Sequence, residues 1–159
     1  MNNSDDLYCI ARILAVNHNS IFREGLRSFI ESNANMRLVG CAADADTAIG
    51  LFAAAQPDLT LLDLNLPHGR AAEVIQSIRE MDPEAWIIGL VTYEWDERGA
   101  EAIAAGAAAV VSKDLIASKL LELVCEGPSR TPAPRSEQES RARWRTYLRG
   151  WLLHGDLRT

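Results

Sequence analysis

Residues 12–26, RILAVNHNSIFREGL, combine the two patterns that decide the fold of this chain. The first half is an apolar run, residues 13–16, which stops at Asn17 and His18. The second half begins a helical pattern at Ile21. An apolar strand that ends on polar residues just before a helix is the repeating unit of parallel α/β sheets. Open sheets of this kind bind ligands beyond the carboxyl ends of their strands.

The same strand–helix unit recurs along the chain to about residue 125. Strand-like apolar runs follow at 36–42, 58–64, 85–91 and 107–112, and helical patterns cover 20–33, 44–56, 70–81, 94–106 and 115–125. The run at 58–64 is almost uninterrupted, as in a strand that is covered by helices on both faces. The pattern predicts a (βα)₅ parallel sheet with helices on both sides.

Polar residues stand at the predicted carboxyl ends of four strands. Asn17 and His18 follow the first strand, Asp63 ends the third, Thr92 follows the fourth and Lys113 follows the fifth. Because these ends meet at one edge of the sheet, the five side chains define the predicted site.

The charge of the chain is divided unevenly. The net charge is −6, but residues 128–159 hold seven arginines against three acidic residues, a net of +4. Residues 1–127 therefore carry −10. An acidic body with a basic tail indicates two parts with different contacts.

The composition divides the chain into four segments. We predict a disordered lead-in at 1–10, a domain at 11–126, a Pro-rich linker at 127–140 and an amphipathic helix at 141–155. The helix has an apolar stripe at helical spacing: Trp144, Tyr147, Leu148, Trp151 and Leu152. The stripe can pack on its own domain, a second copy, another protein or a membrane surface. Arg141, Arg145 and Arg149 lie on a neighbouring face, which solvent, acidic protein surface or nucleic acid can contact.

The sequence argues against membrane and secreted classes. No apolar stretch approaches the roughly 20 residues of a membrane span, and the acidic start does not match a signal peptide. Cys9, Cys41 and Cys125 lack metal-site spacing, and the last two lie in apolar runs, as buried reduced thiols do. We expect a cytoplasmic protein without membrane contact.

Four features together resemble the receiver domain of bacterial two-component response regulators. They are the segments FREGL, PDLTLLDLNLP and AGAAAVVSKD, and Thr92 after the fourth strand, which occur in family order over about residues 11–125. The similar branch is the NarL/LuxR type, usually joined to a helix-turn-helix. Only 32 residues follow Gly127, so we expect no such output domain here.

The resemblance implies a fold and a set of roles. It implies a flavodoxin-like sheet of order 2-1-3-4-5 and a signalling module that is not an enzyme. Asp63 matches the phosphoacceptor, and Thr92 and Lys113 match the residues that contact the phosphoryl group. Asn65 matches the position whose backbone carbonyl coordinates Mg²⁺ in the family.

The sequence departs from the family where the metal binds. The family pattern Val-Asp-Asp-His becomes Val16-Asn17-His18-Asn19, so both metal-holding carboxylates are replaced. Mg²⁺ prefers hard oxygen ligands, whereas imidazole suits Zn²⁺, Cu²⁺ or Ni²⁺. Asp63 and Lys113 alone leave no net negative charge. We therefore expect a degenerate metal site, with Mg²⁺ binding lost or weak and no cofactor.

Two further departures concern the switch and the access to the site. Val110 replaces the Tyr or Phe that swings inward on activation in the family. Tyr93 is bulky where the family tends to have a small residue, so it can crowd Asp63.

Several roles remain open for His18 and Asp63. His18 or Asn17 can donate a hydrogen bond to Asp63, His18 and Asp63 can ligate a transition metal weakly, or His18 can form a pH-sensitive contact. Asp63 itself is either an inert partner of Lys113 or a residue that is still phosphorylated.

The functional expectation is a stand-alone, atypical receiver that acts by binding protein. The partner is a histidine kinase or another regulator, and we expect a homodimer to which the tail helix contributes. The family's usual contact surface, formed by the fourth helix and the fifth strand and helix, is the expected docking site for the tail. One alternative is a phosphoacceptor of reduced activity that uses Asp63. The other is a transcription-related regulator whose basic tail contacts nucleic acid, which we consider the less favoured partner.

Overall fold

Five parallel strands form a single sheet at the centre of the structure. The computed structural model describes residues 10–93, 95–125 and 136–154, except the side chains of 123–125, 137 and 151–154. The strands are β1 (Ala11–Val16), β2 (Met36–Ala42), β3 (Leu59–Asp63), β4 (Ile87–Val91) and β5 (Ala109–Ser112). Their order is β2-β1-β3-β4-β5, with every pairing parallel. The predicted fold and strand order are confirmed.

Four α-helices connect the strands, and two more follow β5 in the described residues. They are α1 (Ser20–Glu31), α2 (Ala45–Ala55), α3 (Ala71–Met81), α4 (Glu97–Ala105), α5 (Ile116–Cys125) and α6 (Glu137–His154). Asn19, Asp44 and Asp96 cap α1, α2 and α4, because each side chain accepts a backbone N–H in the first turn. The caps fix where three helices leave the carboxyl edge of the sheet.

The sheet separates two apolar clusters. One joins the strands to Leu26 and Ile30 of α1, to Leu120 of α5 and to α6, while the other joins them to α2, α3 and α4. Both faces are therefore covered, which explains the nearly continuous apolar sequence of β3.

The tail helix packs on its own domain. Trp144 and Leu148 are each 1% exposed and belong to the cluster of α1 and α5. Arg145 forms ion pairs with Asp82 and, at 3.0 Å, with Glu84, both in the connection from α3 to β4.

Arg141, one helical turn before Arg145, also contacts the domain. Its Nη1 donates a hydrogen bond to Oε1 of Gln56 at 3.0 Å. Gln56 lies in the connection from α2 to β3. Such connections reach the amino ends of the strands, so α6 lies at the edge opposite the predicted site. Of the expected docking surface, the tail shares an apolar cluster with residues of β5 and α5, whereas α4 belongs to the other cluster.

The tail helix differs from the prediction in where it begins. The helix begins at Glu137 rather than 141, within the predicted linker. Residues 1–9 of the predicted lead-in (1–10) and residues 127–135 of the predicted linker (127–140) lie outside the described residues. So do Cys9 and the side chains of Cys125, Trp151 and Leu152. Within the described ranges, no helix is both long and apolar enough to span a membrane.

Candidate functional site at the carboxyl edge of the sheet

Asp63 lies at the end of β3 and is the centre of the site. Its side chain is fully buried, at 0% exposure. One carboxylate oxygen, Oδ1, is 3.2 Å from Nζ of Lys113 and accepts the backbone N–H of Asn65 at 3.0 Å. The predicted juxtaposition of Asp63 and Lys113 is therefore present, and it orients the carboxylate through one oxygen only.

The second oxygen of Asp63 is less well satisfied. Oδ2 has no hydrogen-bond partner among the described residues, and Nδ1 of His18 lies 3.5 Å away. The His18 side chain is 42% exposed. Neither His18 nor Asn17 donates a hydrogen bond to Asp63, so the expected structural pair is a longer electrostatic contact.

Asn17 is buried and its oxygen atoms are used within the fold. The side-chain oxygen accepts the backbone N–H of Asn19 at 2.8 Å, and the carbonyl oxygen accepts Nη1 of Arg23 at 2.7 Å. Its amide nitrogen Nδ2 is buried with no hydrogen-bond partner in the described part of the chain. Asn17 therefore shapes the turn into α1, and both of its oxygen atoms already accept a hydrogen bond.

Two arginines that the sequence reasoning missed complete the site. Arg23 of α1 contacts Asn17, and Arg98 of α4 donates to Oδ1 of Asn65 while its Nε lies 3.3 Å from Asp96. Both arginines lie in the opening turns of helices that leave the carboxyl edge of the sheet. That position was the available signal, because side chains there lie beside the strand ends.

Thr92 and Tyr93 follow β4 and are both exposed. Tyr93, 57% exposed, stacks on Trp95, 81% exposed, with ring centroids 5.2 Å apart. The ring of Tyr93 thus faces solvent and its neighbour.

Val110 lies on β5 under α4. It is half-buried, and a Cβ at Gly99 would lie 3.4 Å from its Cγ1. Helix α4 therefore passes close over this position. The valine fits that close packing, in which we expect little room for an aromatic ring.

The structure thus brings together Asn17, His18, Asp63, Asn65 and Lys113, with Thr92 at the end of the neighbouring strand. The described residues of the apolar stripe, Trp144, Tyr147 and Leu148, lie at the other edge with α6. The described part of the tail takes no part in the site.

Comparisons of the sequence with a family model and with curated proteins point to the same family. Residues 13–125 match the family model described as response regulator receiver domain. The DNA-binding transcriptional activator DevR/DosR of Mycobacterium tuberculosis is 29% identical over 115 residues, which are 72% of this chain and 53% of that protein. Protein CcdB of Bacillus subtilis is 30% identical over 115 residues, 72% of this chain and 95% of that protein.

Comparison with solved structures gives the same family. A two-component response regulator of the LuxR family from Aurantimonas superimposes with a TM-score of 0.65 and 33% identity, over 71% of this chain and 81% of that one. This chain spans about half the length of several curated relatives that it matches.

Proposed function

Since this chain belongs to the response regulator receiver domain family, whose members act in signal transduction, we propose that it signals by binding another protein without Mg²⁺-dependent phosphorylation. The partner binds at the carboxyl edge of the sheet, around Asp63.

The observation that carries the proposal is the cationic character of the metal position. The oxygens of Asn17 accept from Asn19 and Arg23, and the side-chain oxygen of Asn65 accepts from Arg98. Lys113 contacts the Asp63 carboxylate directly, and Arg23 and Arg98 contact the neighbouring Asn17 and Asn65, while Asp96 offsets part of the charge of Arg98. A dication adds to this positive charge rather than neutralising negative charge, so the geometry disfavours Mg²⁺.

The partner surface is suggested by exposed apolar side chains at the same edge. Ile21 in the first turn of α1 is 82% exposed, and Tyr93 and Trp95 form an exposed stack before α4. Aromatic residues are enriched in protein interfaces. A histidine kinase or another regulator can bind here while α6 remains docked at the opposite edge.

A phosphoacceptor of reduced activity is the second candidate. It is supported by the contact between Asp63 and Lys113 and by the unpaired Oδ2 of Asp63, which is a candidate nucleophile. Phosphoryl transfer relies mainly on neutralising charge at the transferring oxygens. Lys113 and the arginines can supply part of that charge.

A nucleic-acid role through the tail receives less support. Arg141 and Arg145 contact Gln56, Asp82 and Glu84 of the domain. The match to DevR/DosR covers only about half of that DNA-binding protein.

Phosphorylation separates the two receiver hypotheses. The chain is incubated with acetyl phosphate and Mg²⁺ and resolved on a phosphate-affinity gel. We expect no labelling of the wild type and partial labelling of Asn17→Asp/His18→Asp, which restores two carboxylates. Loss of that labelling when Asp63→Asn is added to the double variant places the phosphoryl group on Asp63. Rapid wild-type labelling that Asp63→Asn abolishes contradicts the proposal.

Crosslinking tests the protein-binding surface. A photoreactive phenylalanine analogue at Trp95 is compared with the same analogue at Thr146, which is exposed on α6. We expect a discrete adduct to a different protein in host cells from position 95 only, since an adduct between two copies of this chain is recognised by its mass. Equal adducts from both positions, or none from 95, contradict a partner at the carboxyl edge.

A further inference from the structure

We propose that the surface between α6 and the connection from α3 to β4 binds a nucleotide, with its phosphate groups on the arginines of α6 and its base beside Trp86. This surface lies at the edge of the sheet opposite Asp63. The proposal concerns ligand binding by the full chain and does not depend on the protein partner proposed above.

Two adjoining clefts form this surface. The first, of about 310 Å³, lies between Glu84 and the face of α6 that carries Arg141, Arg145 and Arg149. The second, of about 390 Å³, shares Glu84 and Arg149 with the first. Its other lining residues come from α3 and from the connections before β4 and β5: Arg79, Pro83, Ala85, Trp86 and Ala108. Small-molecule sites have volumes of about 300–1,000 Å³, so one ligand of nucleotide size can occupy both clefts.

The clefts carry a net positive charge. Their linings include four arginines, at positions 79, 141, 145 and 149. Among the described residues the opposing carboxylates are Glu84 in the linings and Asp82, which pairs with Arg145. Asp58, close by, is matched by Arg12, whose backbone N–H it accepts. Two positive charges therefore remain in excess, which favours a ligand with several negative charges.

Two of these arginines are held by neutral acceptors. Arg141 donates to the amide oxygen of Gln56 at 3.0 Å. Arg79 donates through Nε to the carbonyl oxygen of Gly106 at 2.9 Å and through Nη1 to that of Pro83 at 2.7 Å. These contacts orient the guanidinium groups without cancelling their charge. Arginine binds phosphate oxygens through two parallel hydrogen bonds, so the first cleft suits a phosphate chain.

The second cleft explains why the ligand is a nucleotide rather than phosphate alone. Trp86 is half-buried, and Pro83, Ala85 and Ala108 line the cleft with it. A planar base can stack on an indole or on a guanidinium such as that of Arg149. Residues 1–127 carry −10, which opposes a long polyanion that extends beyond the clefts. A free nucleotide is therefore favoured over nucleic acid.

Isothermal titration calorimetry of the full chain tests the proposal with ATP and with GTP, both free of Mg²⁺. Adenosine and tripolyphosphate are titrated separately, because each keeps one part of ATP. We expect ATP to bind at least about tenfold more tightly than either part, since only ATP contacts both clefts. Arg149→Gln should weaken ATP binding by about tenfold or more, because it removes charged hydrogen bonds to phosphate.

Arg27→Gln is the matched control. It removes one positive charge from α1, where Arg27 pairs with Glu24 and Glu31 of the same helix, and Arg27 lines neither cleft. This variant should bind ATP as the wild type does. Arg149 is exposed, so its replacement should preserve the fold, which circular dichroism verifies.

Four results overturn the proposal. They are no binding of ATP or GTP at millimolar concentration, equal affinities for ATP and tripolyphosphate, equal ATP affinities of the two arginine variants, and tighter binding of a short single-stranded oligonucleotide than of ATP. The last result assigns the surface to nucleic acid. None of them bears on phosphorylation of Asp63 or on crosslinking at Trp95, so this proposal and the proposed function fail separately.

Discussion

At the scale of single residues, the change from two carboxylates to Asn17 and His18 alters more than the metal site. An asparagine at 17 keeps an oxygen for the turn into α1, where it accepts the backbone N–H of Asn19. It removes the negative charge that would otherwise lie beside Arg23. The local turn therefore survives a substitution that changes the electrostatics of the site.

Asp58 shows how the environment can raise the pKa of a carboxyl group. It lies just before β3, is buried, and accepts the backbone N–H of Arg12 at 2.9 Å. Burial raises the pKa of Asp58 from 3.8 to about 6, although the positive charges of Arg12, Arg141 and Arg145 oppose that rise. Because α6 supplies two of these charges, the titration of Asp58 reports on the docked tail.

This shift predicts a pH dependence of stability with a definite sign. Between pH 4 and 6 the folded state binds the Asp58 proton more tightly than the unfolded state, so its contribution to stability falls as the pH rises. A shift of this size corresponds to about 3 kcal/mol. The free energy of unfolding of Asp58→Asn, measured by urea denaturation relative to the wild type, should therefore rise as the pH increases from 4 to 7.

Asp44→Asn is the control with the opposite sign. Hydrogen bonds from Thr47 lower the pKa of Asp44, so its contribution to stability is present above its unfolded pKa and is lost as the pH falls. Asp44→Asn should lose stability relative to the wild type as the pH rises. A stability difference for Asp58→Asn that is constant with pH contradicts the prediction.

At the scale of elements, periodicity was sufficient for the strands and helices of the sheet. Local apolar patterns and caps determine where β3 and α2 begin and end, and both are visible in sequence. The docking of α6 was not predictable in this way. Its arginine contacts join residues 61–85 positions apart, Arg145 to Glu84 and Arg141 to Gln56, and no local pattern encodes them.

The candidate site was also only partly predictable from the sequence. Strand ends correctly placed Asp63, Lys113 and His18 together, because the topology fixes where strands end. The contacts of Arg23 and Arg98 depend on side-chain paths from neighbouring helices, which spacing alone does not determine.

The packing of α6 predicts a large effect at Trp144. Its indole is 1% exposed and contacts Tyr147 edge-on, with ring centroids 5.7 Å apart. Trp144→Ala removes this side chain from the core and should cost about 3–5 kcal/mol in the free energy of unfolding. Denaturant unfolding followed by circular dichroism measures the loss.

Two control variants test whether the stability loss in Trp144→Ala comes from the buried ring. Trp144→Phe keeps an aromatic ring and removes the indole nitrogen, which is buried with no hydrogen-bond partner among the described residues, so it should cost much less. Thr146→Ala lies on the exposed face and should change stability by no more than about 0.5 kcal/mol. Similar costs for Trp144→Ala and Thr146→Ala show that α6 does not pack as described.

At the scale of the whole molecule, the basic tail lies on the acidic domain. Arg145 pairs with Asp82 and Glu84, so the charge asymmetry of the sequence is expressed as a contact within the chain. The tail and the candidate site lie at opposite edges of the sheet. Docking of α6 therefore leaves the site open to a partner.

A homodimer to which α6 contributes remains a prediction, and the docked helix restricts how it can form. Trp144 and Leu148 are buried in their own chain, so a second copy must contact other surfaces or exchange α6. Light scattering compares the full chain of 17.5 kDa with one that ends at Gly127. We expect the full chain at twice the monomer mass and the shortened chain as a monomer. Two monomers contradict the dimer.

Stability of the same pair tests the docking independently. Removing α6 takes two buried side chains, Trp144 and Leu148, out of the cluster of α1 and α5, and each stabilises the fold by about 2 kcal/mol or more. The chain ending at Gly127 should therefore unfold at lower urea concentration at equal protein concentration, even when both chains are monomers. Equal unfolding midpoints contradict the docked helix, because a helix that buries Trp144 and Leu148 cannot be removed without loss.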